Sequence, residues 1–190
     1  MDKISKAKVV LRENVEYVLR DKDGNVKKLF QPNKIGAWLL KHGIVSPTLK
    51  LSVLLGNYAD QMVVSNLVMN VGMAGVASRI NGAGAEVAFT YIAIGIGTTA
   101  VAAGDTQLDS EITTGGGARA VATASRVTTD VTNDTAQLVL TYNFTDTFAV
   151  TESGVLNAAS AGTLLARQVF SAVNVVNGDS LQITWKLDVD

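Results

Sequence analysis

Residues 180–189 read Ser-Leu-Gln-Ile-Thr-Trp-Lys-Leu-Asp-Val, and they decide the fold class because apolar and polar side chains alternate along the whole stretch. Successive residues of a strand point to opposite faces of its sheet, so this pattern is typical of a strand with one buried face. Residues 136–144 show the same alternation. The core side chains predicted from the two strands are Leu181, Ile183, Trp185, Leu187, Leu138, Leu140, Tyr142 and Phe144.

Four further strands are expected on either side of this pattern. Two of them are apolar on both faces, so each is either central in the fold or covered by another subunit; two weaker ones alternate less clearly. Short strands separated by Gly, Asn and Asp turns favour a mainly β protein, with an antiparallel β-sandwich or jelly-roll-like body. The four segments are residues 87–96, 164–176, 119–131 and 149–156.

The first part of the chain predicts a hairpin and a short helix. Asp21 to Asn25 carry a turn signal between two strand-like runs, at residues 15–19 and 26–30. Asn33 is placed to cap a helix that ends at Gly43. A second short helix is expected over residues 66–80, although its interior glycines weaken that pattern.

Charge divides the chain near residue 50. Residues 1–50 hold 11 Lys or Arg against 5 Asp or Glu, whereas residues 51–190 hold 5 against 12. We therefore predict a basic N-terminal arm containing the hairpin and short helix (1–50) and a β-sandwich body (51–190). Opposite charges on arm and body also suggest self-association. The candidate protein-interaction residues of the arm are Lys3, Lys6, Lys8, Arg12, Lys27 and Lys28.

Nucleic acid is not the expected partner of this arm. Its basic residues alternate with acidic ones, few aromatic residues accompany them, and the pI of the chain is about 5.8. Docking on an acidic protein surface and a merely solvated face remain as the two main interpretations. No apolar stretch approaches the roughly 20 residues of a membrane-spanning helix, so no membrane contact is predicted.

Composition argues against catalysis and cofactor chemistry. The chain has no cysteine and one histidine, His42, which excludes disulfides, thiolate metal sites and most histidine-based catalytic arrangements. We expect no enzyme activity, no catalytic residue, no metal site and no cofactor. His42 is expected at a helix end or on the surface.

Two motifs could indicate a binding or catalytic site, and each also has a purely structural interpretation. Gly95 to Ala100 form a G-x-G-x-x-A string after a strand, but no helix signal and no acidic residue about 20 positions later follow, so a strand-ending turn is favoured over a dinucleotide site. The carboxylates Asp105, Asp109 and Glu111 are close in sequence, and we interpret them as a solvated turn.

Five segments of the body, taken in their order along the chain, form a pattern that recurs in other proteins. They read YIAIGIGTT at 91–99, GDTQL to EI at 104–112, TESGVLNA at 151–158, GTLLAR at 162–167 and NGDSLQITW at 177–185. In these segments the chain resembles a class of small virion proteins of tailed bacteriophages. The resemblance covers most of residues 66–189 and rests on structural motifs.

The resemblance implies a β-sandwich and a role without chemistry. Within this class the expected role is a capsid decoration, or cement, protein that forms homotrimers on the outer capsid surface, made in the cytoplasm of a bacterial host. Its expected partners are the major capsid protein and copies of itself, with the arm contacting neighbouring subunits. A phage tail, baseplate or fibre component is the first alternative, and a carbohydrate-binding β-sandwich module is the second.

Overall fold

The computed structural model describes residues 11–48 and 54–189. The alternating segment Ser180–Val189 is strand β13, and it lies inside a six-stranded antiparallel sheet with the order β2-β1-β13-β10-β9 and β5 paired to β1. The strands of this first sheet are β1 (Leu11–Arg20), β2 (Val26–Lys27), β5 (Met62–Ser65), β9 (Thr123–Val127), β10 (Thr135–Asn143) and β13 (Ser180–Val189).

A second antiparallel sheet has five strands in the order β6-β12-β11-β7-β8. They are β6 (Leu67–Val68), β7 (Tyr91–Gly95), β8 (Ala120–Val121), β11 (Phe148–Leu156) and β12 (Leu164–Val175). A small two-stranded sheet and two helices complete the described residues: β3 (Leu29–Pro32), β4 (Gly56–Ala59), α1 (Lys34–Lys41) and α2 (Asn70–Asn81). Neither helix of this described part is long and apolar enough to cross a bilayer.

The core lies between the two sheets and confirms the predicted faces of β10 and β13. Trp185 is fully buried, in register with Val15 of β1 on one side and Leu138 of β10 on the other. Leu140 is only partly buried, but it packs against the same cluster. The other predicted core residues are buried as expected, namely Leu181, Ile183, Leu187, Leu138, Tyr142 and Phe144. The mainly β fold class, with antiparallel sheets and short helices, is therefore confirmed.

Two tyrosines connect the sheets through hydrogen bonds as well as packing. The Tyr17 hydroxyl lies 2.6 Å from the Ser153 hydroxyl, and the Tyr142 hydroxyl donates to the Ile92 carbonyl at 2.7 Å. Both phenols are buried, so a partner for each hydroxyl avoids the penalty of an unsatisfied polar group.

Strand β1 corrects the predicted arm. Its ten residues pair with β13 from Leu11 opposite Val189 to Arg20 opposite Ser180, and Tyr17 lies wholly in the core. The run at residues 15–19 was predicted as a strand, but the net charge of residues 1–50 concealed its place in the sandwich, because the apolar inward residues Val15, Tyr17 and Leu19 lie among polar and charged ones. From Leu11 onward, the lead segment is thus part of the sandwich.

The hairpin and both helices lie close to where the local sequence signals predicted them. β1 pairs with β2 across the turn at Asp21 to Asn25, although β3 pairs with β4 instead of extending the hairpin. Asn33 Oδ1 accepts from the N–H groups of Ile35 and Gly36, which caps α1 as predicted. Helix α2 starts later than predicted, at Asn70, because the preceding residues form β6.

Candidate functional site

Strand β11 is buried on both of its faces. Its inward residues Ser153 and Val155 meet the core between the sheets, whereas Glu152 and Leu156 point to the outer face of the second sheet. Every residue from Val150 to Leu156 is buried. Something other than the first sheet must therefore cover the outer face.

The cover is the long loop, residues 96–119, which joins β7 to β8. Leu108 of this loop is buried against Leu156 and Leu164, together with Met69, the residue that precedes α2. These side chains form a second apolar cluster outside the sandwich. The long loop is consequently packed onto the second sheet and does not project from it.

Glu152 of strand β11 holds the long loop against the second sheet. Its side chain is fully buried, and Oε1 accepts from the N–H groups of Gly97 (3.1 Å) and Ser110 (2.7 Å). Oε2 accepts from the Asp109 N–H at 3.0 Å and from Arg167 Nε at 2.9 Å. The carboxylate therefore has four donors, which occupy the acceptor positions that a catalytic base would need free.

Arg167 carries the balancing charge from strand β12. The side chain is 2% exposed, and its Nη2 lies 2.8 Å from Glu152 Oε2. Nη1 donates to Asp105 Oδ2 at 2.8 Å, and Nη2 also donates to the Thr99 carbonyl at 3.2 Å. One guanidinium thus binds a buried carboxylate of the sheet and a carboxylate of the long loop, which is the forked geometry that suits arginine.

Asp109 closes the network at the surface. It accepts from the Thr99 hydroxyl at 2.8 Å, and this hydrogen bond lowers the pKa of the Asp109 carboxyl. Because the Asp109 N–H also donates to Glu152, both ends of the loop segment from Thr99 to Asp109 are held. We call Glu152, Arg167, Asp105 and Asp109 the clamp.

The clamp explains the G-x-G-x-x-A string. A Cβ atom at Gly95 or at Gly97 would overlap the Glu152 carboxylate, so both glycines are needed to let the buried acid approach the backbone. No helix follows Gly97 within the long loop. The glycines therefore hold a protein carboxylate where a dinucleotide-binding motif would hold a phosphate.

A second ion pair ties the long loop to the β11–β12 connection. Arg119 binds Glu111 through two donors, at 2.9 and 2.6 Å, and its Nη1 donates to the carbonyls of Ala158 (3.0 Å) and Ala161 (2.8 Å). The Arg119 side chain is 8% exposed, so this pair is shielded from solvent. Loops from two parts of the second sheet are locked together as a result.

The interpretation of Asp105, Asp109 and Glu111 as a solvated turn is wrong for Asp105 and Glu111, whereas the Asp109 side chain is exposed in a bend, as that interpretation expects. Each of Asp105 and Glu111 binds a buried arginine, and Asp109 is part of the clamp. Sequence reasoning missed Glu152, Arg167 and Arg119. The available signal was a single charged residue in each of two largely apolar runs, Glu152 in 148–156 and Arg167 in 164–175. A charge that is buried in such a strand needs a partner.

Two of the predicted arm residues, Lys27 and Lys28, have described side chains. Lys27 binds the nearly buried Asp179 at 2.7 Å, and Lys28 binds the exposed Asp60 at 2.7 Å. Both of these lysines thus have partners within the chain. The remaining candidates, Lys3, Lys6, Lys8 and the side chain of Arg12, lie outside the described residues.

A cleft of about 310 Å³ lies over the clamp, between Arg167 and the loop residues Gly104 to Asp109. Its charged lining groups already bind one another, so they offer little free binding capacity to a ligand. In the described ranges 11–48 and 54–189, no three His, Asp or Glu side chains are grouped so as to hold a metal ion.

The chain was also compared with known proteins. No protein-family model, no curated protein and no solved structure matches it. Its function is accordingly inferred from the clamp, the exposed surface and the sequence.

Proposed function

We propose that this protein is a non-enzymatic structural component of a tailed-bacteriophage virion, and specifically a decoration protein that binds the outer surface of the assembled capsid. The observation that carries this proposal is the clamp. The charged side chains of the clamp bind one another and the backbone, and they hold the long loop to the second sheet. The surface formed in this way is rigid and has no free catalytic group at its centre.

The same residues support the virion class. Gly95, Gly97, Asp105, Glu152 and Arg167 all lie in the segments that resemble phage virion proteins, and these segments meet at the clamp. Residues that form a buried ion pair and hold a loop against a sheet determine the shape of the surface. Shape is what a protein needs when it binds a repeated lattice.

A preformed surface lowers the entropic penalty of binding. Side chains and loops that are already ordered lose little freedom on contact, so a modest interface retains more of its gross interaction energy. Several subunits attached to one lattice site, as in a homotrimer, would add avidity without any stronger single contact. A protein that binds the assembled shell and not its separated parts stabilises the shell by mass action.

The proposed contact between the arm and neighbouring subunits is now restricted to residues before Leu11. Strand β1 cannot leave its own sheet, because it lies between β13 and β2 and supplies buried side chains to the core. Attachment through an arm therefore concerns the segment that carries Lys3, Lys6 and Lys8.

Copy number in purified particles tests the proposal. Densitometry of the virion proteins, normalised to the major capsid protein, should show this chain in numbers comparable with the capsid lattice sites. A few copies per particle would favour the tail, baseplate or fibre alternative, and absence from particles would contradict both virion roles. A glycan array with the purified chain tests the carbohydrate-binding alternative.

A reconstitution experiment tests the stabilising role. Particles lacking the protein should release DNA at a lower temperature than complete ones, and adding the purified chain back should restore the higher value. Bovine serum albumin at equal concentration serves as the control. Rebinding without any change in the release temperature would leave attachment but contradict the cement function.

A further inference from the structure

Helix α1 presents an exposed apolar face. Ile35 and Trp38 are three residues apart and therefore share one face of the helix, with exposures of 63% and 53%. Leu54, 79% exposed, lies beside the start of α1, because Asn33 Nδ2 donates to the Leu54 carbonyl. The opposite face is anchored through Gly36 and Leu40, both buried. We call Ile35, Trp38 and Leu54 the α1 patch.

The indole at the centre of the α1 patch is held in place. The ring of His42 lies 4.6 Å from that of Trp38, and His42 Nδ1 lies 2.8 Å from the Trp38 carbonyl oxygen. Exposed tryptophans are costly to leave in water and are enriched among residues that dominate protein interfaces. A tryptophan with restricted motion also loses less entropy when a partner covers it.

Two lysines of helix α1 lie beside the α1 patch. Of the five lysines in residues 24–59, two bind Asp179 and Asp60 and one lies outside the described residues, which leaves Lys34 and Lys41. Lys34 and Lys41 lie on the same side of α1 as Trp38, at spacings of four and three residues, and neither forms an ion pair within the described part of the chain. The patch therefore has an apolar centre flanked by two cationic groups.

The remainder of the chain has the complementary charge. Residues 60–190 hold 12 Asp or Glu against 5 Lys or Arg, and Asp130 and Asp146 are among the exposed ones. Several of these acids are buried or bound to arginine or lysine, whereas Asp130 and Asp146 form no ion pair among the described residues. Every copy of the protein therefore carries a basic apolar patch and, elsewhere on a sandwich of negative net charge, these exposed acids, which we call the acidic sandwich surface. Because α1 already packs on its own sandwich through its other face, its exposed face can meet an acidic surface only on another molecule.

We propose that the α1 patch binds the acidic sandwich surface of a second copy of this chain, with Trp38 as the central contact and Lys34 and Lys41 as the flanking charges. Such a contact joins two different surfaces, and successive head-to-tail contacts close into a ring when the rotation between neighbours allows it. The inference does not rest on the virion role, since it concerns contacts between copies alone.

Sedimentation equilibrium of the purified full chain tests this contact. At about 100 µM and low salt the average mass of the wild type should be well above the 19.9 kDa of a monomer, as expected for a micromolar dissociation constant. Trp38→Ser should weaken association about 10-fold or more. The control is Ile80→Ser, which changes a more exposed apolar residue on α2 and should leave association unchanged.

A charge variant and a fluorescence measurement make the test specific. The double variant Lys34→Glu/Lys41→Glu should weaken association about 10-fold and remove most of its dependence on salt, which screens exposed charges. Tryptophan emission should shift to the red on dilution as Trp38 enters water, and Trp38→Phe should abolish the shift because Trp185 stays buried. Circular dichroism confirms that each variant is folded.

Three results would overturn the inference: a wild type that is monomeric at about 100 µM in low salt, a micromolar association that Trp38→Ser leaves intact, or one that the charge variant strengthens. Each of these is read on the isolated chain. Failure of attachment to particles, in contrast, would overturn the decoration proposal and leave this inference standing.

Discussion

The two faces of strand β11 are stabilised by different forces. Inward, Val155 and the hydroxyl of Ser153 meet the apolar core between the sheets, where Trp185, Phe170 and Tyr17 are also buried. Outward, Glu152 meets Arg167 and three backbone N–H groups of the long loop. One strand therefore separates a hydrophobic core from a buried ionic network.

The two faces of β11 contribute differently to stability and to the positioning of the long loop. Apolar packing is strong but weakly directional, so the core tolerates exchanges that preserve volume. A buried ion pair adds little net stability compared with a hydrophobic replacement, yet loss of one partner is severe because it leaves a charge unpaired. We conclude that the core supplies most of the stability, and that the clamp fixes the position of the long loop.

The largest effect is expected when the ionic face is broken on one side only. Glu152→Leu leaves Arg167 buried without its main partner and removes the acceptor of three N–H groups, so we expect a loss of about 5 kcal/mol in the free energy of unfolding. Urea denaturation measures it. The double variant Glu152→Leu/Arg167→Leu should recover about 2 kcal/mol. A single variant as stable as the wild type would contradict the clamp.

On the core side, Trp185→Ala should cost about 4 kcal/mol, as a large-to-small change in a packed interior. Trp185→Phe is the matched control and should cost less than about 1.5 kcal/mol, because it preserves most of the volume and removes an indole N–H that has no acceptor among the described residues. Thermal unfolding followed by circular dichroism measures both. Equal losses for the two variants would mean that volume is not what matters at this position.

An intermediate effect is expected where the backbone approaches the clamp. Gly97→Ala places a methyl group against the Glu152 carboxylate and Asp109, so we expect a loss of about 2 kcal/mol from overpacking. Gly104→Ala lies in the same loop with open space around it and should be neutral. Hydrogen exchange should accelerate at the Ser110 amide in the first variant only, and equal behaviour of the two would refute the close approach.

High pH acts mainly on the core side. Burial raises the pKa of Tyr17 and of Tyr142 far above the ordinary value, so both stay neutral in the folded protein while they ionise near pH 10 in the unfolded chain. Stability is thus complete below about pH 10 and falls above it, by about 1.4 kcal/mol per pH unit for each tyrosine. Tyr17→Phe should reduce this slope; an unchanged slope would show that Tyr17 is not buried.

Low pH acts on the clamp, with the smallest effect. The Thr99 hydroxyl lowers the pKa of Asp109, so its contribution is present above the ordinary pKa of an aspartate and is lost as pH falls below about 4. Thr99→Val should make the acid side of the stability profile shallower, while the alkaline side stays as in the wild type. A change confined to the alkaline side would contradict this assignment.

Local patterns predicted much of the fold. The alternation in β10 and β13 located the core, and Asn33 and Gly43 bounded α1, because both signals are encoded within a few neighbouring residues. The strand-like run at residues 15–19 was also recognised locally, but its place in the sandwich was missed for the opposite reason. Its role depends on pairing with β13, about 170 residues away, and net charge counted over residues 1–50 obscures an inward apolar face.

The clamp was beyond local reasoning for a related reason. Glu152 and Arg167 stand on adjacent strands, and they meet Gly97, Asp105 and Asp109 only once the long loop has folded over them. Each residue in isolation has a plainer interpretation, as a turn glycine or a solvated acid. A buried charge within an apolar strand was the one available indication, and it predicts a partner without saying where that partner lies.

The position of β13 between β1 and β10 also determines when the protein can fold during synthesis. At roughly 5–20 residues per second, β1 leaves the ribosome about 10–30 s before β13 does. During that interval β1 has only β2 and β5 as partners in the first sheet, and β10 has only β9. A nascent chain that stops before Ser180 lacks the strand that joins the two halves of the first sheet, so the facing edges of β1 and β10 stay open to pairing with other chains until synthesis is complete.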